Sequence, residues 1–253
     1  MSGAIPVLLY HSVSDRPTWG AVSTARFVSD VDAMVVSRRP AVSITTLARC
    51  LRNPRRFTEY PIAVTFDDGY DDTYEAVELL CAHGLCSTVY VTTGQIGRPG
   101  RLSRRQLRVL ADTPGVEIGS HGVHHRRLDE LSTDEILAEV RDSKQLLEDL
   151  LGEAVTSFAY PHGAYDTRVR SVLIGAGYHS AAAVKNALSH TADDPFAIAR
   201  WTVTASPSRS AVADIIAGRG APLASTREGW RTRAYRTVRR QRQRAFGWGN
   251  PKC

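Results

Sequence analysis

The chain has 253 residues, a formal net charge of +6 and an apolar fraction of 43%. These values suit a globular protein with a large core, and no apolar run approaches the ~20 residues needed to span a bilayer. The four cysteines (Cys50, Cys81, Cys86 and Cys253) offer neither a CxxC metal spacing nor a disulfide framework. We therefore expect them to be small buried side chains.

Short apolar runs of β-prone residues recur along the chain and predict strands that are buried on both faces. These runs are 5–10, 61–66, 86–91, 116–119, 157–160, 178–183 and 198–203. Helix-like stretches lie between them at 71–83, 103–111, 132–151 and 166–175, and the third starts with the capping-box sequence Ser132-Thr133-Asp134-Glu135. The alternation predicts a parallel α/β fold, with one domain over residues 1–205 and a basic, partly helical extension over 206–253.

The positive charge is concentrated in that extension. Nine basic residues and one acid between Arg227 and Lys252 give residues 227–253 a charge of +8, so residues 1–226 carry −2. Apolar residues recur among the arginines at nearly helical spacing: Trp230, Ala234, Val238, Ala245 and Phe246. Two interpretations stay open, a terminal helix docked on the domain and binding to an anionic membrane surface or a phospholipid-linked glycan. No recognition motif supports nucleic acid as a partner.

The N-terminal residues are relevant to the cellular location of the protein. Residues 1–7 contain no basic region and no long apolar segment, which predicts that there is no signal peptide. We expect a cytoplasmic protein and leave association with a membrane open.

Polar clusters follow the ends of several predicted strands. His11 follows the first, Asp67 and Asp68 the second, His121 the fourth, and Pro161-His162-Gly163 the fifth. In a parallel barrel the carboxyl ends of the strands share one rim, where active sites assemble. We therefore expect these side chains to converge.

The residue types in the clusters favour a hydrolytic metal site. One carboxylate and two imidazoles can hold a divalent metal ion, and the second carboxylate is then left as a base. His121 can pair with His124 or with His125, since spacings of three and four residues both bring side chains together. The alternative for the carboxylates is to cap the helix that follows, although Asp71 or Asp72 could do that instead.

Four segments together resemble the polysaccharide deacetylases, the NodB-homology group of carbohydrate esterase family four. They are Val7-Leu8-Leu9-Tyr10-His11-Ser12, Asp67-Asp68, His121-xxx-His125 and Phe158-Ala159-Tyr160-Pro161-His162-Gly163. The resemblance covers roughly residues 5–205 and implies a distorted, TIM-barrel-like (β/α) barrel with seven strands.

The resemblance also implies a function. It implies a metal-dependent hydrolase that removes N-acetyl groups from a glycan or glycoconjugate containing N-acetylhexosamine. Asp68, His121 and His125 would bind a divalent metal ion, most simply zinc, and Asp67 would be the general base. A backbone N–H in the Pro161–Gly163 loop would hold the oxyanion, and a protonated histidine would protonate the departing amine.

Three positions depart from the family pattern. Ala159 stands where an arginine is usual, and Arg200 is a candidate to supply that charge from another strand. His162 replaces a tyrosine. The late Leu-x-His motif is missing, which leaves the general acid open, with His11 as first choice, His162 second and His190 third.

These departures keep two alternatives to the deacetylase. The first is a hydrolase of another non-peptide C–N bond on the same fold. The second is a catalytically impaired barrel that binds a glycan or a partner. The intact set of Asp67, Asp68, His121 and His125 argues against the second.

Overall fold

Seven parallel strands close into a barrel in the computed structural model, and each pairs with the next along the chain until the last pairs with the first. The structure describes residues 3–16, 20–56, 59–205, 208–225 and 239. The barrel strands are β2 (Val7–Tyr10), β3 (Ala63–Phe66), β4 (Ser87–Val91), β5 (Val116–Ser120), β6 (Ser157–Ala159), β7 (Ser180–Val184) and β9 (Ile198–Thr202). The predicted seven-stranded (β/α) barrel is therefore confirmed.

Helices cover the outside of the barrel. Those that the structure describes are α1 (Thr24–Ser37), α2 (Ile44–Arg52), α3 (Thr73–Ala82), α4 (Arg104–Ala111), α5 (Thr133–Leu151), α6 (Thr167–Gly175) and α7 (Arg209–Ile216). The apolar periodicity predicted α3 to α6 to within about two residues, and it missed α1 and α2. Helix α7 lies in the extension that was predicted to be partly helical, although its bounds were not predicted. Among the described residues, no helix has the length and apolar character required to cross a membrane.

The barrel interior is closed at its amino end by α2. Leu47 and Leu51 of α2 pack with Val7, Ala63 and Ile198, which stand at the beginnings of three strands. The N–H of Ile44 donates to Thr88 Oγ1 at 3.0 Å, which ties the start of this helix to β4. Because apolar side chains fill the amino end, a binding or catalytic site in the barrel has to lie at the carboxyl ends of the strands.

A small antiparallel pair lies at the same amino end. β1 (Ala4–Ile5) pairs with β8 (Ser189–His190), and Ala4 is opposite His190. The chain therefore descends from the rim after β7 and places residue 190 at the opposite end of the barrel from the candidate site.

The chain beyond residue 205 continues against the barrel as far as the structure describes it. Helix α7 packs on α1, and Arg26 Nη2 donates to the carbonyl of Ser208 at 3.0 Å. The domain boundary at residue 205 stays a prediction. The apolar residues of the basic extension, from Trp230 to Phe246, lie outside the described residues, whereas Arg239 Nε lies 2.8 Å from Glu130 Oε1.

Candidate active site

The two adjacent carboxylates reach the same site because the backbone reverses between them. The N–H of Asp67 still bonds to the carbonyl of Tyr10 at 3.0 Å, as a residue of β3 would. Asp68 has a φ of 73° and Gly69 a φ of 68°, both in the left-handed region. Aspartate tolerates that region better than most residues do, so Asp68 can turn back over the rim beside Asp67.

Asp68, His121 and His125 form a compact group of ligand atoms. Asp68 Oδ1 lies 3.5 Å from His121 Nε2 and 3.2 Å from His125 Nε2, and the three ligand atoms all lie within 4.8 Å of one another. Asp68 Oδ1 is buried and accepts no hydrogen bond from any described residue. An orphaned carboxylate oxygen facing two imidazole nitrogens fits a divalent cation.

His121 is held in the form that can bind a metal. Its Nδ1 lies 2.8 Å from the carbonyl of Ala159, so this nitrogen carries the proton and Nε2 presents a lone pair to the cluster. Burial lowers the pKa of His121 to about 4, against the opposing effect of Asp67. The imidazole is therefore neutral at neutral pH.

The structure separates the two candidate partners of His121. The His125 ring lies 5.0 Å from the His121 ring, whereas His124 points outward with 69% of its side chain exposed. His124 Nδ1 instead lies 2.8 Å from Glu139 Oε1. The segment is an irregular loop in which His125 has a φ of 57°, so spacing by itself could not distinguish the two residues.

Glu139 on α5 anchors this loop, although in the sequence it is only one charged residue among several on a predicted helix. Its Oε2 accepts from the N–H of Val123 at 2.8 Å and from the N–H of His124 at 2.9 Å, while its side chain is only 4% exposed. A buried carboxylate thus binds the backbone between the two histidines of the cluster.

Asp67 forms a buried ion pair with Arg200. Arg200 Nη1 lies 2.6 Å from Oδ1 and Nη2 lies 2.8 Å from Oδ2, a two-pronged contact with both side chains almost fully buried. Burial raises the pKa of Asp67, but the charge and hydrogen bonds of Arg200 outweigh it and lower the pKa to about 2. The guanidinium that pairs with Asp67 thus comes from β9 and not from position 159.

His11 and His162 both lie on the rim. His11 follows β2, close enough to Asp67 that its charge helps to lower the pKa of that carboxyl. The ring of His162 lies 4.4 Å from the ring of His125. Burial lowers the pKa of His162 to about 4, with His125 and Arg127 adding to the effect, so this side chain is neutral at neutral pH.

Two other candidates do not take the roles that the sequence suggested. His190 lies at the amino end of the barrel, where its Nε2 is 2.9 Å from the carbonyl of Ala224. Asp72 makes no capping hydrogen bond to α3 and accepts instead from the N–H of Val13 at 3.1 Å.

Comparison with known families identifies the family of the chain. The family model described as polysaccharide deacetylase matches residues 55–181, which is half of the chain. The protein belongs to the polysaccharide deacetylase family.

Two relatives show how far the likeness extends. Protein YxkH of Bacillus subtilis (strain 168), whose name assigns it to the polysaccharide deacetylases, is 25% identical over 208 residues, 82% of this chain and 74% of its own length. The peptidoglycan-N-acetylglucosamine deacetylase PgdA of Listeria monocytogenes is 28% identical over 118 residues. This second match spans 46% of this chain and 24% of PgdA.

Solved structures share the fold. The Streptococcus pyogenes deacetylase PplD, solved in complex with acetate, superposes with a TM-score of 0.76 at 22% identity, over 82% of this chain and 95% of that chain. IcaB from Ammonifex degensii superposes with a TM-score of 0.74 at 20% identity, over 85% and 97% of the two chains. At these identities the likeness establishes the barrel and its topology.

Proposed function

We propose that the protein is a metal-dependent hydrolase that removes N-acetyl groups from an N-acetylated sugar or polysaccharide. One observation carries the proposal. A carboxylate fixed by a buried arginine, Asp67, stands directly beside a separate carboxylate and two imidazoles that converge on one point. That arrangement provides a base and a cation site on the same rim.

Asp68, His121 and His125 would hold the metal ion. One carboxylate and two neutral imidazoles suit zinc, and three protein ligands leave positions open for water and substrate. When bound, such an ion polarises the amide carbonyl and makes water more acidic.

Asp67 would accept the proton of the attacking water. Its lowered pKa keeps the carboxylate ionised, which is the form that a base requires. Arg200 holds both carboxylate oxygens and so fixes the orientation of Asp67. We therefore assign Arg200 the task of positioning the base.

The turn after β6 would stabilise the oxyanion. Pro161 has no N–H, while the N–H groups of Gly163 and Ala164 donate to Tyr160 and Pro161 at 2.8 and 3.0 Å. The N–H of His162 is therefore the donor that we assign to the oxyanion. For the proton given to the departing amine we assign His11, because it lies on the rim close to Asp67.

The substrate assignment follows from relatives. PgdA is named for the deacetylation of peptidoglycan N-acetylglucosamine, and we extend to this chain the class of glycans that contain N-acetylhexosamine. The basic extension would add contact with an anionic membrane surface. A cytoplasmic location, with the enzyme acting at a membrane face, completes the proposal.

Acetate release from N-acetylglucosamine oligomers, together with metal analysis of the purified protein, tests the function. We expect about one divalent ion per chain and acetate release that a chelator abolishes and zinc restores. Bound metal without acetate would point to another C–N bond, and neither metal nor acetate would point to a binding protein.

A matched pair of histidine variants tests the general acid. His11→Ala should lower the deacetylation rate by roughly 10²–10⁴-fold. His190→Ala, at the opposite end of the barrel, should leave the rate as it is. An unchanged rate in His11→Ala would remove that assignment without touching the metal site.

A further inference from the structure

Arg101 extends over the rim next to Asp68, and neither the proposed chemistry nor the family motifs use it. Its Nη1 donates to the backbone carbonyl of Asp68 at 3.1 Å. Its guanidinium lies over the ring of Tyr70, 3.9 Å from the ring centre. Both side chains are half-buried, so a charged group is held at the edge of the candidate active site.

The backbone around Arg101 is fixed as firmly as its side chain. Tyr70 and Arg101 form an antiparallel bridge, flanked by bonds from the N–H of Leu102 to Gly69 at 2.9 Å and from the N–H of Asp71 to Gly100 at 3.1 Å. The loop of the arginine and the loop that carries Asp68 are therefore one unit. A preorganised guanidinium loses little conformational entropy when it binds a ligand.

The charge of Arg101 lacks a carboxylate partner in the described part of the chain, and this sets it apart from its neighbours on the rim. Arg200 is neutralised by Asp67, and Arg127 lies 3.2 Å from Glu130. A guanidinium has five N–H donors, of which the bond to Asp68 uses one and the hydrogen bond with Tyr70 another. Planar donors of this kind match carboxylate and phosphate oxygens.

We propose that Arg101 and Tyr70 form a subsite for an anionic substituent, a carboxylate or a phosphate, on a sugar of the substrate next to the N-acetyl group that is removed. This inference rests on the proposed function and specifies its substrate class. The enzyme would then prefer acidic glycans to neutral ones of the same length.

Three oligomers of N-acetylglucosamine of equal length test the subsite: the neutral form, an O-carboxymethyl derivative and an O-phosphoryl derivative. The native enzyme should show a higher kcat/KM for at least one acidic oligomer than for the neutral one, and the better of the two identifies the anion. In Arg101→Gln that preference should fall by at least about tenfold, the size expected for hydrogen bonds to a charged group. High salt should weaken the preference of the native enzyme.

Arg98→Gln is the matched control. Arg98 lies on the same loop with an exposed side chain, so its loss removes the same charge without touching Asp68 or Tyr70. It should keep most of the preference for acidic oligomers. An equal loss in both variants would mean that general charge attracts the substrate, and the subsite would be wrong.

Two further outcomes would overturn the subsite. One is a native enzyme with no preference for acidic oligomers. The other is an Arg101→Gln variant that loses the same factor on all three oligomers, which would make Arg101 a support for Asp68. Should no oligomer release acetate, the proposed function fails, and calorimetric binding of the same oligomers to the native protein and Arg101→Gln decides the subsite separately.

Discussion

The ion pair between Asp67 and Arg200 joins residues 133 positions apart. A buried carboxylate would normally favour its neutral form, and the guanidinium reverses that preference. The protonation state of the proposed base therefore depends on a residue of β9, the last barrel strand in the sequence. An arginine within the third motif is one way to supply this charge, and Arg200 supplies it from β9.

Replacing Arg200 should reveal the cost of leaving that carboxylate unpaired. In Arg200→Leu the free energy of unfolding should fall by about 3–5 kcal/mol, because a buried charge loses its partner. Urea denaturation monitored by circular dichroism measures the change. Acetate release should be lost in parallel, since the base is no longer oriented.

The double variant Asp67→Asn/Arg200→Leu separates stability from chemistry. Removing the charge of Asp67 should return most of the lost unfolding free energy while deacetylation stays absent. A single Arg200→Leu variant as stable as the native protein would show that the pair is not buried in solution as the structure has it.

At the scale of elements, one helix supports the loop that carries two of the proposed metal ligands. Glu139 projects from the buried face of α5 and binds the backbone of Val123 and His124, between His121 and His125. The capping box of Ser132 and Glu135 fixes where α5 begins and hence where Glu139 lies along the loop. The start of α5 thus determines the position of Glu139, and Glu139 determines the shape of the loop that carries His121 and His125.

Glu139→Gln should weaken metal binding without removing a ligand. An amide cannot accept from all three donors as the carboxylate does, so the loop should loosen and zinc affinity should fall by roughly 10–100-fold, the range known for groups that support metal ligands. Calorimetric titration of zinc into metal-free protein measures this independently of turnover.

Asp142→Asn is the control for that change, because it removes one charge from the exposed side of the same helix. It should bind zinc as the native protein does. Equal zinc affinity in Glu139→Gln and the native protein would show that His121 and His125 hold their positions without the anchor.

At the scale of the whole molecule, the two ends of the barrel have different tasks. The amino end is filled by apolar side chains of α2, and the carboxyl end carries the polar residues of the candidate site. The apolar packing of the amino end is thus separated along the barrel axis from the polar groups of the site, as in other parallel barrels.

Leu47→Ala tests this separation. Leu47 is fully buried where α2 enters the barrel, and its truncation should lower the free energy of unfolding by about 2–5 kcal/mol. The metal affinity of the folded fraction should not change. Leu223→Ala is the control, because Leu223 is 52% exposed and should cost little stability. Reduced zinc affinity in Leu47→Ala would show that the two ends are coupled.

The sequence by itself determined the alternation of strands and helices and the rim on which the polar clusters meet. Buried parallel strands leave near-continuous apolar runs, and the polar residues at their ends stand out against them. It did not reveal α1 and α2. Val28, Val31, Val35 and Val36 blur the helical signal of α1, and α2 covers only nine residues.

Only the tertiary structure decided which side chains share the site. By spacing alone, His124 and His125 are equally good partners for His121. In the structure, His125 adopts a left-handed backbone conformation and lies beside His121, whereas His124 is bound by Glu139. Arg200 and Arg101 reach Asp67 and Asp68 through barrel closure and loop pairing, contacts between residues far apart in the chain. Local patterns record which face of a strand or helix is buried, whereas the partner of a charge depends on how distant segments pack.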